Sequence, residues 1–191
     1  MLSVIIATHE SERALVPTLA ALVAGSTAGL ISEVVVADAG SRDATAEVAD
    51  VAGCRFIASS ASLGERLNAA AMSARAPWLL FLRAGAVPDT SWIAETGRFI
   101  ETAQSADMAA TFRPAPALDT HRPLLVEALA LLGRALGARA RPEQGLLIAK
   151  AFYQKLGGHR AADAEADLLR RLGRRRIVML RCGMAGALPN T

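Results

Sequence analysis

Lysine, aromatic residues and cysteine are all scarce in this sequence. Lys150 and Lys155 are the only lysines among 21 basic residues, and aromatics make up 4% of the chain. The two cysteines, Cys54 and Cys182, are too few and too isolated for a disulfide framework or a zinc site. We therefore expect buried free thiols and, by default, a reduced cytoplasmic location.

Long apolar runs are missing as well. The longest, at 124–136, is interrupted by Glu127, Gly133 and Arg134, so it falls short of a membrane span. The first run, at 2–7, is too short for a signal peptide, and acidic residues follow it closely. The sequence thus predicts neither a membrane-spanning helix nor a secretory leader.

What remains is a composition typical of a globular protein. Of the 191 residues, 52% are hydrophobic and 20% are charged, with a net charge of +3. We expect a single domain over 1–191, divided into a nucleotide-binding half at 1–105 and an acceptor-side half at 106–191. The mild basic excess suits phosphate-bearing ligands or an anionic surface, but an arginine preference in the coding sequence would explain it equally well.

The first half alternates between strand and helix patterns. Buried strands are predicted at 2–7, 33–38, 54–59 and 78–82, because these runs are apolar and rich in β-branched or bulky residues. Helices are predicted at 11–24, from the loop 39–42 through Val51, at 62–75 and at 88–100. Candidate N-caps are Ser11, Ser41 or Asp43, and Ser62, the last with Glu65 at capping-box spacing. This order predicts a mostly parallel, Rossmann-like sheet with helices on both faces.

Ligands of such sheets bind at the carboxyl ends of the strands. That rule places residues 7–10, 38–41 and 83–85 along one edge. The second half is less regular: a proline-rich connection at 113–123, an apolar helix at 124–136, and a loop at 137–145. A short strand and a helix follow at 145–158, then a helix at 162–176 and a strand at 177–181.

Several segments in order resemble the inverting family 2 glycosyltransferases, which have the nucleotide-sugar-binding GT-A fold. The opening strand and loop are SVIIATHESE (3–12), and the most specific segment is EVVVADAGSRDAT (33–45). The helix and strand that lead to the family's metal motif are LGERLNAAAMSARAPWLLFLRAG (63–85). The later segments are EQGLLIAKAFYQKLGG (143–158) and AEADLLRRLGRRR (164–176). The resemblance runs from about residue 2 to residue 181 and is closest to the small soluble bacterial subgroup.

The resemblance implies a role for each matching position. Asp38 would accept a hydrogen bond from the nucleobase; as an alternative, it closes the turn after its strand. Asp43 is a helix cap in either case. The other residues implied in donor binding are Ala7, Thr8, His9, Glu10, Gly40, Ser41 and Gln144.

The metal motif departs from the family pattern. Alignment on Phe81 and Leu82 puts Gly85 where the family has a metal-binding carboxylate, and Arg83 two residues before it. The manganese or magnesium ion that is typical of the family would then have few oxygen ligands. Arg83 could hold the diphosphate in its place. Arg66 is a second candidate for the phosphates, and the alternative for Arg66 is an exposed helix arginine.

The general base of the family is an aspartate on the helix that begins near residue 164. Alignment on Arg170–Leu172 puts Glu165 at that position, with Asp163 and Asp167 as neighbouring substitutes. The alternative for Glu165 is a solvated helix residue.

The resemblance therefore implies transfer of a sugar, with inversion, from a nucleotide diphosphate sugar to an unknown acceptor, with a metal-independent mechanism as an option. The alternative is a non-catalytic relative that binds a nucleotide sugar or a protein partner. A nucleotidyltransferase would need a glycine-rich loop after the first strand, and residues 7–12 contain no glycine. The arginines of 170–176 are a solvated helix face or a peripheral contact with an anionic membrane; without aromatics they do not indicate nucleic-acid binding. The sugar, the nucleobase and the oligomeric state stay open.

Overall fold

The computed structural model describes residues 1–102, 107–114, 141–160 and 164–186. Its strands are β1 (Leu2–Thr8), β2 (Ile31–Asp38), β3 (Arg55–Ala58), β4 (Trp78–Arg83), β5 (Val87–Pro88), β6 (Ala109–Pro114), β7 (Leu146–Ala149) and β8 (Ile177–Ala185). Its α-helices are α1 (Glu12–Thr27), α2 (Thr45–Val51), α3 (Leu63–Ser73), α4 (Trp92–Glu101), α5 (Lys150–Lys155) and α6 (Ala164–Leu172).

The described strands form one sheet in the order β3-β2-β1-β4-β7-β6-β8-β5. The four strands β3, β2, β1 and β4 are parallel, as their continuous apolar runs predict. Strand β7 pairs antiparallel with both β4 and β6, while β6 and β8 are parallel. The predicted fold class, a mostly parallel α/β sheet, is confirmed.

Helices cover both faces of the sheet, and each face has its own apolar core. Leu15 and Leu22 of α1 and Trp92 of α4 pack against one face. Leu67 of α3 and Phe152 of α5 pack against the other, together with residues of α6. This two-sided cover holds the parallel strands in register, so their carboxyl ends lie side by side.

Two strands were missed in the sequence. The segment predicted to begin a helix at Pro88 starts instead with β5, and α4 begins only at Trp92. Asp89 explains why α4 begins only at Trp92, because its carboxylate accepts hydrogen bonds from the backbone N–H and the hydroxyl of Ser91 at 2.9 and 2.6 Å. The second missed strand, β6, ends at Pro114, inside the segment predicted as a connection.

Helix ends follow local chemistry, and two predicted caps are wrong. The N-cap of α2 is Ala44, not Ser41 or Asp43, and no side chain caps that helix. Ser62 and Glu65 form the predicted capping box at the start of α3. Ser11 does not cap α1, since its hydroxyl bonds instead to the backbone of His9. The helix predicted to continue to 176 stops at Leu172, because Gly173 has φ of 70° and a 3₁₀ turn follows at Arg174–Arg176.

Some predictions lie outside the described residues, among them the apolar helix at 124–136 and most of the connection at 113–123.

Within the described ranges, no helix has both the length and the apolar character needed to cross a membrane. Cys54 and Cys182 are both free thiols, and Cys182 is buried. The sheet contains strands from both predicted halves of the chain; the division at residues 105 and 106 stays a prediction.

Candidate active site

The carboxyl ends of β1, β2 and β4 bring together the residues that the strand-end rule grouped. Thr8 lies opposite Asp38 in the β1–β2 register. Ala7 lies opposite Arg83 in the β1–β4 register. The predicted grouping at one edge of the sheet is therefore confirmed.

Asp38 is buried, and its carboxylate is fully occupied within the protein. Oδ2 accepts from the backbone N–H groups of Gly40 and Ser41 at 2.7 and 2.6 Å. Oδ1 accepts from the hydroxyls of Thr8 and Ser41 at 2.7 and 2.6 Å. Burial alone would raise the pKa of Asp38, but these hydrogen bonds outweigh it and the pKa is lowered. Asp38 thus closes the turn after β2; its contact with a nucleobase stays a prediction and would require one of these bonds to break.

The loop after β1 is tied to the loop after β2. The backbone N–H of Glu10 donates to Ser41 Oγ at 2.8 Å, and Glu10 Oε1 accepts from the backbone of Arg42 at 2.9 Å. Glu10 has φ of 47°, a conformation that these two bonds support. Gly40 has φ of 87° and open space where a side chain would stand. The two loops therefore form one rigid rim beside an open surface, to which His9 also contributes.

Arg66 is only partly exposed and contacts the backbone, so it is not the exposed helix arginine that the sequence offered as an alternative. Its Nη1 donates to the carbonyl oxygens of Ala37 at 2.9 Å and Thr8 at 3.2 Å. Its Nε is buried without a hydrogen-bond partner. Burial lowers the pKa of this guanidinium, and the charge of Asp38 opposes that change. Arg66 therefore holds the ends of β1 and β2 together beneath the rim.

Arg83 and Glu165, predicted for different roles, are in direct contact. The guanidinium Nη2 of Arg83 donates to Glu165 Oε2, and Nε donates to Oε1 at 3.4 Å. Glu143 Oε1 lies 3.9 Å from Nη1 on another side of the same guanidinium. The side chain of Arg83 is 45% exposed and that of Glu165 15% exposed. The hydrogen bond that Arg83 donates to Glu165 raises the pKa of Arg83, so the guanidinium stays charged.

A cavity lies beside Glu165 on the side of β7. Its lining is largely apolar and is completed by Arg141, His159 and Glu165; the apolar lining residues are Phe81, Pro142, Leu146 and Leu169, with Gly145 between them. The sequence did not single out Glu143, Arg141 or His159. Two features of the sequence could have pointed to these residues. Glu143 and Arg141 lie close to Gln144 in the chain, and His159 follows two glycines.

Gln144 has a structural role at this wall. Its side-chain Oε1 accepts from the backbone of Arg141 at 2.7 Å, and its Nε2 donates to the carbonyl of Phe112 at 3.0 Å. Both ends of the buried amide are therefore engaged, and its predicted contact with substrate stays a prediction.

His159 makes the cavity wall sensitive to acid. Its Nδ1 lies 2.9 Å from the hydroxyl of Tyr153, and the ring stands edge-on to Phe81. Burial, assisted by the charge of Arg171, lowers the pKa of His159 to about 4. The neutral ring is therefore the stable form in the folded protein.

We expect the free energy of unfolding to fall as the pH falls from 6.5 towards 4. In that window the unfolded chain binds a proton at His159 and the folded chain does not, which amounts to about 2 kcal/mol between pH 7.5 and 5.0. Urea unfolding at the two pH values measures the loss. The variant His159→Phe should lose clearly less stability over the same interval; an equal loss in both proteins would contradict this assignment.

The sequence matches that of a known family over most of its length. Residues 3–146 fit the sequence model described as glycosyl transferase family 2, which is well over half of the 191 residues. The chain belongs to glycosyl transferase family 2. A search of curated proteins finds no match to it.

Solved structures of other proteins share the fold of this family 2 chain. Residues 1–349 of S. aureus TarS in complex with UDP-GlcNAc match with a TM-score of 0.75 and 16% identity, over 100% of this chain and 59% of that one. Glucosyl-3-phosphoglycerate synthase from Mycobacterium tuberculosis, in complex with Mn²⁺ and UDP-glucose, matches with a TM-score of 0.73 and 19% identity, over 100% of this chain and 72% of that one. The chain therefore spans less than two thirds of the TarS chain, and the likeness establishes the fold.

The metal ion that the family resemblance implies does not fit the residues that the structure describes at the end of β4. The position of the metal carboxylate is Gly85, whose N–H donates to the buried hydroxyl of Thr18 at 2.8 Å. Gly85 has φ of 88°, a conformation that side chains rarely adopt. Among the described residues, no group of three or more His, Cys, Asp or Glu could hold a metal ion. The cation at this strand end is Arg83.

Proposed function

We propose that the chain transfers a sugar, with inversion, from a nucleoside diphosphate sugar to a hydroxyl group of an acceptor, and that it does so without a divalent metal ion. The acceptor oxygen attacks the anomeric carbon, the bond from that carbon to the diphosphate breaks, and the acceptor proton passes to Glu165. Arg83 balances the charge of the departing diphosphate. Family membership and the site at the end of β4 support this proposal.

The presence of Arg83 and Glu165 at one site, at the end of β4, is the observation that carries the proposal. Inverting transfer needs positive charge beside the leaving group and a base on the opposite side of the reacting carbon. Arg83 at the carboxyl end of β4 and Glu165 on the first turn of α6 are such a cation and such a carboxylate, and they can take these two positions once their ion pair has separated. Arginine suits the first role because its planar fork matches phosphate oxygens and never loses its charge.

Glu165 is also the best placed carboxylate for the base. Asp167 is bonded to Arg170 at 3.1 Å and to Arg171 at 2.8 Å, and Arg171 is itself fixed to the carbonyl of Gly158. Asp163, the other substitute, lies outside the described residues. Glu165, in contrast, lines the cavity beside β7, where an acceptor hydroxyl could enter.

We assign the nucleobase of the sugar donor to the rim formed by the loops after β1 and β2. Gly40 borders open space there, His9 and Glu10 are exposed and Ser41 is half-buried, while Thr8 is buried at the end of β1. Ala7 and Asp38 form the end of the sheet beneath them. This arrangement leaves room for a flat base and ribose above the strand ends.

Isothermal titration with UDP and GDP tests the proposal directly. We expect micromolar binding of one nucleotide, with the same affinity in EDTA and in millimolar manganese. Binding that appears only with manganese would contradict metal independence, and the absence of binding under all conditions would contradict donor binding altogether.

A non-catalytic relative is the second candidate function, and one observation favours it. Both carboxylate oxygens of Glu165 are bonded to Arg83, and Gly85 cannot supply the family's acidic ligand. Nucleotide binding without any release of UDP from UDP-sugars, in the presence of broad acceptor mixtures, would support this candidate.

A cytoplasmic location and a peripheral membrane contact remain part of the proposal. The free thiols suit the first. The second is supported by Arg174, Arg175 and Arg176, which are exposed and form no ion pair within the part of the chain that the structure describes. After the half-buried Ile177, Val178 and Met179 are exposed as well. Exposed arginines near exposed apolar residues suit an anionic lipid surface.

A further inference from the structure

The two reactive groups of the proposed site are bonded to each other. Each oxygen of Glu165 accepts a hydrogen bond from Arg83, one from Nε and one from Nη2. Glu143 approaches Nη1 at 3.9 Å. The guanidinium therefore faces two carboxylates, and the carboxylate of Glu165 has no oxygen left without a bond from Arg83.

A diphosphate would need the same guanidinium. Its oxygens are bound best by the paired N–H groups of an arginine fork, and the fork of Arg83 that includes Nε and Nη2 is directed at Glu165. The cluster already contains two acidic groups and one basic group, so added phosphate charge favours separation of Arg83 from Glu165.

Arg83 is able to make this exchange, whereas Arg66 is not. Arg66 is fixed to two backbone carbonyls at the ends of the buried strands β1 and β2. The side chain of Arg83 is 45% exposed, and its guanidinium contacts the carboxylates of Glu143 and Glu165 on the open side of the sheet edge. A change of its rotamer breaks no backbone hydrogen bond of the sheet.

We infer that Glu165 and the diphosphate of the donor compete for Arg83, so that Glu165 limits donor affinity and donor binding frees Glu165 for the acceptor. The inference rests on the proposed function, in which these residues serve donor and acceptor. Donor would then bind before acceptor, because the base is available only after Arg83 has moved to the phosphates.

Titration calorimetry in EDTA tests the competition, with whichever of UDP and GDP the unaltered protein binds and with inorganic pyrophosphate as probes. The variant Glu165→Gln should bind that nucleoside diphosphate about tenfold more tightly than the unaltered protein, as expected when a charge-assisted hydrogen bond no longer opposes binding. Pyrophosphate, which has no base or ribose, should show the same gain. The variant Glu143→Gln should gain less, about twofold, because its carboxylate is 60% exposed and 3.9 Å away. The exposed Glu47 provides a matched control, and Glu47→Gln should have no effect.

The double variant Arg83→Gln, Glu165→Gln separates competition from a general gain on removal of negative charge. If Glu165 and the diphosphate compete for Arg83 as inferred, Glu165→Gln gives no gain in affinity once Arg83 is absent. An undiminished gain in that background, or no gain in the single variant, would overturn the inference while binding by the unaltered protein still supports the proposed function. Failure of every protein to bind either probe would overturn the proposed function, and the competition with it.

Discussion

Replacement of Arg83 by glutamine should weaken metal-free binding of the preferred nucleoside diphosphate by about 30- to 100-fold. The reason is that Arg83 is the cation at the end of β4, where Gly85 stands in place of the family's metal carboxylate. A charged hydrogen bond to a ligand contributes about 2–3 kcal/mol, which corresponds to this loss. Titration calorimetry in EDTA measures it.

Two further variants define the cause. Arg83→Lys keeps the charge but loses the planar fork, so we expect an intermediate affinity. Arg98→Gln removes an arginine from a surface pair with Glu95 on α4, and it should leave affinity unchanged. If Arg83→Gln bound as tightly as the unaltered protein, Arg83 would not be the substitute for the metal ion; if manganese restored the affinity of Arg83→Gln, the site would hold a metal ion after all.

The edge of the sheet could be predicted because it depends on local patterns. The strands β1, β2 and β4 are continuous apolar runs, each followed by polar or glycine residues, and the parallel order makes their carboxyl ends neighbours. No knowledge of side-chain contacts is needed for that grouping. Burial on both faces leaves these strands few alternatives in register.

Short elements near proline were not predictable in the same way. The strand β5 contains two residues and exists only because it pairs with β8, almost one hundred positions further along the chain. Strand β6 likewise depends on pairing with β7 and β8 on its two sides. Proline at positions 88 and 114 argues against a central strand, but both prolines lie at strand ends, where a missing N–H is tolerated.

The chemistry of the site depended even more on tertiary contacts. Arg83 and Glu165 are 82 positions apart, and alignment gave each a role without showing that they touch. Arg66 on α3 followed a helical pattern that is also typical of exposed arginines, yet its guanidinium reaches the ends of β1 and β2. The sequence allowed two interpretations of Asp38, a contact with the nucleobase or closure of the turn after β2. The four hydrogen bonds to its carboxylate support closure of the turn.

Replacement of Glu165 by glutamine should lower the turnover number by about 10²- to 10⁴-fold. Glutamine has nearly the same shape but cannot accept a proton, and general base catalysis contributes about this much. The measurement is release of UDP from UDP-glucose or UDP-GlcNAc, with the donor that the unaltered protein turns over faster and water or an added alcohol as acceptor. Donor affinity should not fall in parallel, because Glu165 opposes donor binding through Arg83.

That division between turnover and affinity distinguishes a base from a residue that only stabilises the site. A structural defect would weaken donor binding and turnover together, whereas loss of the base lowers turnover alone. The variant Glu165→Asp keeps a carboxylate but withdraws it by roughly 1 Å, and a displacement of that size costs about 100-fold in rate. The turnover of Glu165→Asp should therefore stay below that of the unaltered protein. It should exceed the turnover of Glu165→Gln if that variant loses nearer 10⁴-fold than 10²-fold. Equal turnover by the unaltered protein and Glu165→Gln would exclude Glu165 as the base and favour water or another carboxylate as the proton acceptor.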